Sequence, residues 1–255
     1  MVGGAMQKYE NSLENRQKSG TFRVMILRKK TLIAIVLAIA VVALCVGGGV
    51  GLAATAASPF TGPVVVIDAG HGGIDHGVVG DSGFLESDFN LMMSRELKEF
   101  LEGANFKVVM TRETSDGLYG DSIENFKRRD MAARKEIIRK ANPDFVISIH
   151  ANKFPGDSRR GAQVFYDGLS GEGKSLAQSI QSGLNYLNDK YTGKTYSALS
   201  GDYYMLKCTQ NPSVIVECGF LSNDEDEALL KDAEYRQKLA FAIYSGVVGY
   251  LSTRE

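Results

Sequence analysis

A three-layer α/β domain with a mostly parallel, mixed sheet, preceded by one N-terminal transmembrane helix, is the fold this sequence predicts. Three observations carry it. Short apolar runs alternate with segments of helical length and period, the order of a sheet covered by helices on both faces. The strongest runs, in VVVIDAGHGG, DFVISIHAN and PSVIVECGF, are continuously apolar, as strands buried on both faces are. Residues 31–67 carry no charge at all, directly after a basic stretch.

The elements follow in order. Residues 1–30 are polar, without apolar periodicity. Residues 31–57, TLIAIVLAIAVVALCVGGGVGLAATAA, exceed the roughly 20 apolar residues that span a bilayer. A short Pro/Gly linker leads to a strand over 64–68. The Gly-rich stretch 70–83 is a loop. A helix is predicted over 86–101, with Phe89, Leu91, Met92, Leu97 and Leu101 on or near one face. A strand at 106–110 and a polar loop at 111–125 precede a helix over 128–141, which Asn142-Pro143 ends. A strand over 145–150, a basic loop over 153–160 and a strand over 162–166 come next. Leu176, Ile180 and Leu184, four apart, define a helix over 173–187. A polar loop over 189–201, a strand over 214–217 and a closing helix over 233–251 complete the chain.

Charge separates the chain into parts. Residues 1–30 hold seven basic and two acidic side chains, a net of +5, against a net of −1 for the whole. The remainder is therefore mildly acidic, which argues against a nucleic-acid partner. Arg28, Lys29 and Lys30 abut the apolar run. The positive-inside bias keeps them in the cytoplasm and sends the rest across the membrane. The organisation expected is a basic cytoplasmic tail (1–30), a membrane anchor (31–57) and one extracytoplasmic domain (58–255). A cleavable signal with Ala54-Thr55-Ala56 at the cleavage site is the alternative, and it makes the domain a secreted one. Three cysteines make no disulfide framework; Cys208 and Cys218 are expected as small core residues.

Two of the three histidines, His71 and His150, stand at the ends of apolar runs, and Glu217 stands at the end of a third. The carboxyl ends of parallel strands are where sites form in α/β sheets. Two imidazoles and a carboxylate are a standard ligand set for hydrolytic zinc, with one position left open. Glu86, opening a helix after the Gly-rich loop, is well placed as the carboxylate; Asp75, Asp81 and Asp88 compete with it. His76 is expected as an exposed loop residue. Glu217 fits a general base that takes a proton from the attacking water. Asp68 is a candidate acceptor for a histidine N–H, with an ordinary turn role as the alternative. Arg159 and Arg160, in the first of two polar loops, are candidate contacts for substrate carboxylates or carbonyls.

The segments IDAGHGG, FLESDFN, MTRET, SIHAN and VIVECGFLSN, in this order, resemble the zinc-dependent N-acetylmuramoyl-L-alanine amidases. The resemblance covers about residues 63–252. It implies a mixed six-stranded sheet flanked by helices, one zinc ion on His71, Glu86 and His150, and Glu217 as the catalytic glutamate. It implies hydrolysis of the amide between N-acetylmuramic acid and L-alanine in peptidoglycan. Ser87 replaces the Lys that many members carry after the ligand glutamate, and His76 stands where some have Pro. A basic tail, one membrane segment and a bare catalytic domain, with RRDMAAR and RGAQVFY, are similar to the spore-cortex, germination-specific branch; a vegetative daughter-cell separation enzyme is the rival. A protein activator is a candidate partner. A zinc peptidase acting on the stem, a non-catalytic wall-binding scaffold on the same fold, and a Cys218 nucleophile are the competing readings.

Overall fold

The computed structural model describes residues 62–122, 124–156 and 158–254. The expected tail and anchor lie outside these residues. Among the described residues no helix is long and apolar enough to cross a membrane.

Six strands form one sheet: β1 (Val64–Ala69), β2 (Lys107–Met110), β3 (Phe145–Asn152), β4 (Gln163–Tyr166), β5 (Leu199–Ser200) and β6 (Ser213–Phe220). Their order is β2-β1-β3-β6-β4-β5. All pairings are parallel except β4 with β6. Five helices cover it: α1 (Glu86–Gly103), α2 (Phe126–Ala141), α3 (Gly171–Thr192), α4 (Asp224–Lys231) and α5 (Ala233–Ser252). A 3-10 turn spans Tyr204–Lys207.

The central strands are buried on both faces, as their continuous apolar character requires. Val65, Ile67, Ile147, Ile149, Val214 and Val216 point into the larger core, packed by α1, α3 and α5. Val66, Val146 and Ile215, one residue out of phase, point into a smaller core with Ile138 of α2 and Met205, Leu206 and Cys208 of the 3-10 turn. The sheet therefore has a thickly covered face and a thinly covered one. Cys208 and Cys218 are free and buried, one in each core. Cys218 thus turns away from the face that carries Glu217, which removes it as a nucleophile.

Two expected strands run further than predicted. β3 passes His150 and β6 passes Glu217, because Ala151, Cys218 and Phe220 are small or apolar enough to remain in the core. A register shift between His150 and Asn152 marks where the ladder loosens. α4, β5 and the 3-10 turn have no counterpart in the sequence prediction. α4 is short and acidic, and the Asn223 side chain starts it by accepting from the N–H groups of Glu225 and Asp226.

α3 and α5 cross through glycines. A Cβ at Gly183 would stand 2.6 Å from the Ala242 carbonyl oxygen, and one at Gly246 would run into the Ile180 backbone. Gly246→Ala is expected to overpack the crossing and destabilise the domain by about 1–3 kcal/mol. The check is a lower urea midpoint at an unchanged slope.

Candidate active site

The thin face opens at the carboxyl ends of β1, β3 and β6 into a cavity of about 320 Å³. Asp68, His71, His150 and Glu217 line its floor, α2 supplies Lys127, Asp130, Met131 and Arg134, and Tyr203, Tyr204 and Met205 form the opposite wall.

β1 delivers His71 through a sharp turn. His71 has φ 61, followed by Gly72 at 137 and Gly73 at 61. A non-glycine residue in this left-handed region costs on the order of 1–3 kcal/mol and persists only when its surroundings enforce it. Gly70 must lack a side chain, because a Cβ there would run into the His150 ring.

Glu86 opens α1 and is 3% exposed. Its position is fixed: Oε2 accepts from the Val78 N–H at 2.7 Å and Oε1 from the Ala151 N–H at 3.2 Å. Gly77, at φ 66, is packed against the carboxylate.

These elements converge. His71 Nε2 lies 3.3 Å from Glu86 Oε1, and His150 Nδ1 lies 2.9 Å from the same oxygen. One ligand atom from each of His71, Glu86 and His150 falls within 4.8 Å of the others. A tetrahedral ion with bonds of about 2.0–2.1 Å holds its ligand atoms about 3.3 Å apart. The spacing and the donor set both fit a divalent metal that takes imidazole and carboxylate. In the metal-free cluster, burial favours neutral imidazoles, but the Glu86 carboxylate outweighs it. His71 is raised above its usual value and His150 is pushed up to about 9. Glu86, which burial alone would raise, is held well below the carboxylate range by hydrogen bonds and charge from His150 and His71.

Glu217 pairs in register with His150 across β3 and β6, so both side chains share one face. Its Oε2 is buried without a hydrogen-bond partner among the described residues and lies beside the cluster. Burial pushes this carboxyl up to about 7, opposed by His150 and His71 and reinforced by the charge of Glu86.

Of the competing carboxylates, Asp81 and Asp88 are exposed, while Asp75 Oδ2 stands 3.0 Å from His71 Nδ1, on the far side of the ring. Asp75 thus fits the orienting role that Asp68 was expected to take. His76 is exposed, as expected.

Asp68 is a correction. It accepts from Ser148 Oγ at 2.6 Å, Arg134 Nη1 at 2.7 Å and Thr111 Oγ1 at 2.8 Å, none of them a histidine. A carboxylate 1% exposed needs a full charge beside it, and Arg134 supplies that charge. Arg159 and Arg160, the expected substrate contacts, do not line this cavity. Arg160 pairs with Glu225 and with Asp226, which is itself buried and needs a counter-charge. Arg159 lies over the Phe154 ring at 5.2 Å and donates to Gln163 Oε1 at 3.3 Å.

Sequence reasoning assigned no role to Arg112, Asp130, Arg134 or Tyr203. The Asp130–Arg134 spacing of four on a helix was the available signal.

The family model described as N-acetylmuramoyl-L-alanine amidase matches residues 65–248. The germination-specific N-acetylmuramoyl-L-alanine amidase of Bacillus subtilis is 33% identical over 199 residues, 77% of this chain and 83% of that one. Among solved structures, the CwlD amidase from Clostridioides difficile, in complex with the GerS lipoprotein, superposes with a TM-score of 0.70 at 36% identity, covering 75% of this chain and all of that one. The catalytic domain of CwlV from Bacillus (Paenibacillus) polymyxa var. colistinus gives 0.62 at 29% identity, covering 75% and 99%.

Proposed function

The chain belongs to the N-acetylmuramoyl-L-alanine amidase family, hydrolases of peptidoglycan, and from that premise we propose that it works with one zinc ion on His71, Glu86 and His150 and with Glu217 as general base. The observation that carries this reading is the convergence of two imidazole nitrogens on one Glu86 oxygen, with Glu217 in register beside them. Zinc, when bound, supplies Lewis-acid polarisation of the scissile carbonyl and of the attacking water. Glu217 takes the proton from that water as the new C–O bond forms. It then gives the proton to the L-alanine nitrogen as the C–N bond breaks. The products are a lactyl carboxylate on the muramic acid and a free peptide amine. A degenerate, wall-binding member of the family would lose a ligand or the base, and this chain keeps all four.

The test is metal content. Full-length protein reconstituted with zinc is expected to hold one equivalent by elemental analysis. His71→Ala, His150→Ala and Glu86→Ala are each expected to lose it. Unaltered zinc in these variants would overturn the assignment.

We also propose that residues 31–57 anchor the enzyme with its domain, 58–255, on the outer face of the cytoplasmic membrane. The charge step at Arg28-Lys29-Lys30 supports this. Protease added to intact protoplasts is expected to remove the domain and spare the tail. Protection of the domain would refute the topology, and a soluble form beginning near Ala57 would favour signal cleavage. The germination-specific relative supports a role on spore cortex. The GerS lipoprotein in the CwlD complex supports a lipoprotein as the class of partner.

A further inference from the structure

We infer that Arg134 is a positioning residue that presets the metal site by holding the backbone of His71; this rests on the metal reading above. The Arg134 side chain is 1% exposed. Its Nε donates to Asp130 Oδ2 at 2.5 Å, and its Nη1 donates to Asp68 Oδ1 and to the Ala69 carbonyl, both at 2.7 Å. Its Nη2 donates to the His71 carbonyl at 2.5 Å. One planar guanidinium thus joins two carboxylates to the carbonyls on either side of the Gly70 peptide.

A second buried arginine completes the grip. Arg112 donates from Nε to the Ala69 carbonyl at 2.9 Å, from Nη2 to the Gly70 carbonyl at 3.0 Å and from Nη2 to the Ser87 carbonyl at 2.7 Å. The carbonyls of three consecutive residues, Ala69, Gly70 and His71, are therefore all taken by guanidinium donors. Ser87 follows Glu86, so Arg112 also ties the turn bearing His71 to the helix bearing Glu86.

The orientation of a carbonyl fixes its peptide plane, and two fixed planes fix the Cα–Cβ direction between them. His71 sits at φ 61, where an L-residue does not rest unaided. Arg134 supplies the hold on its carbonyl side. None of its hydrogen bonds is to a side chain of His71, Glu86 or His150; its link to the cluster is the His71 carbonyl. Only a rigid fork of five donors reaches Asp130, Asp68, Ala69 and His71 together. A lysine keeps the charge but presents three donors from one point.

The test compares Arg134→Lys with Arg236→Lys in the full-length protein. Arg236 is another buried arginine, held by Glu96 and by the carbonyls of Leu230 and Lys231, and it does not line the cavity. Zinc dissociation constants are read by competition with a chromophoric chelator, and stability by urea unfolding of the metal-free proteins. Arg134→Lys is expected to weaken zinc about 10–100-fold, the range for outer-shell partners of metal ligands. Arg236→Lys is expected to leave zinc affinity within twofold of wild type, whatever its loss of stability. Wild-type affinity in Arg134→Lys, or equal weakening in both variants, would overturn the inference. If Arg134→Lys does not fold, Asp130→Ala, which removes the acceptor of Nε but keeps the Asp68 pair, decides by the same measurement: weakened zinc supports the inference and wild-type affinity overturns it. A wild-type protein that binds no zinc would instead defeat the metal reading itself.

Discussion

Glu217→Ala is expected to keep zinc and fold while losing about 10²–10⁴-fold in turnover, the usual range for removing a general base. At 1.36 kcal/mol per decade this adds about 3–5 kcal/mol to the barrier. The expectation follows from where the carboxylate sits. Glu217 is beside His150 in the sheet register, yet outside the set of ligand atoms that fall within 4.8 Å of one another. Its Oε2 has no hydrogen-bond partner among the described residues, so removing that oxygen breaks no hydrogen bond there. Burial has raised its pKa to about 7 in the metal-free protein, which is the range of a base that both takes and returns a proton near neutrality. Glu217→Gln sharpens the test, because it keeps the shape and removes the basicity. Mass analysis of fragments released from sacculi gives the turnover, and elemental analysis gives the zinc. Loss of zinc from either variant would make Glu217 a ligand. Wild-type turnover would remove it from the chemistry.

The sheet was legible because its strands are buried on both faces, and burial on both faces leaves no room for polar residues. VVVI, FVIS and SVIV announce themselves. The ligands were legible for a related reason. A histidine or glutamate set into such a run is costly unless a partner compensates it, so His71, His150 and Glu217 stood out. Glu86 was favoured by its place at the start of a helix, with Asp75, Asp81 and Asp88 as competitors, and the motif strengthened that choice. Compensation between distant segments could not be read the same way. Arg160 looked like a free cation on a polar loop, but its partner Asp226 is 66 residues away and buried only once α4 has formed. Asp68 looked like a partner for a histidine because His71 is three residues off. Its actual partner, Arg134, also lies 66 residues away and reaches it only when α2 packs on the thin face. The 3-10 turn that brings Tyr203 and Tyr204 over the cavity has no period to detect.

Asp68→Ala is expected to destabilise the domain by about 3–5 kcal/mol at neutral pH, the range for breaking a buried ion pair from one side. The loss is that large because three donors meet at this carboxylate. Without it Arg134 Nη1, Ser148 Oγ and Thr111 Oγ1 all lose an acceptor at a buried position. Asp130 still neutralises Arg134, so the protein is expected to fold. Asp68→Asn, which keeps an acceptor oxygen but not the charge, is expected to fall between the two. The effect also has a pH signature. Burial alone would raise the Asp68 pKa, but the charge of Arg134 and the hydrogen bonds from Ser148 and Arg134 outweigh it and hold the group below its ordinary value. A carboxyl depressed in the folded state contributes stability above its unfolded pKa, about 3.9, and that contribution is lost as pH falls through the folded value. The gap between wild type and Asp68→Ala is therefore expected to be full at pH 7 and pH 5 and to narrow below about pH 4. Urea midpoints at pH 7, 5 and 3 measure it. A gap under about 1 kcal/mol at pH 7, or one that widens in acid, would mean that Asp68 is not the charge that keeps Arg134 in the core.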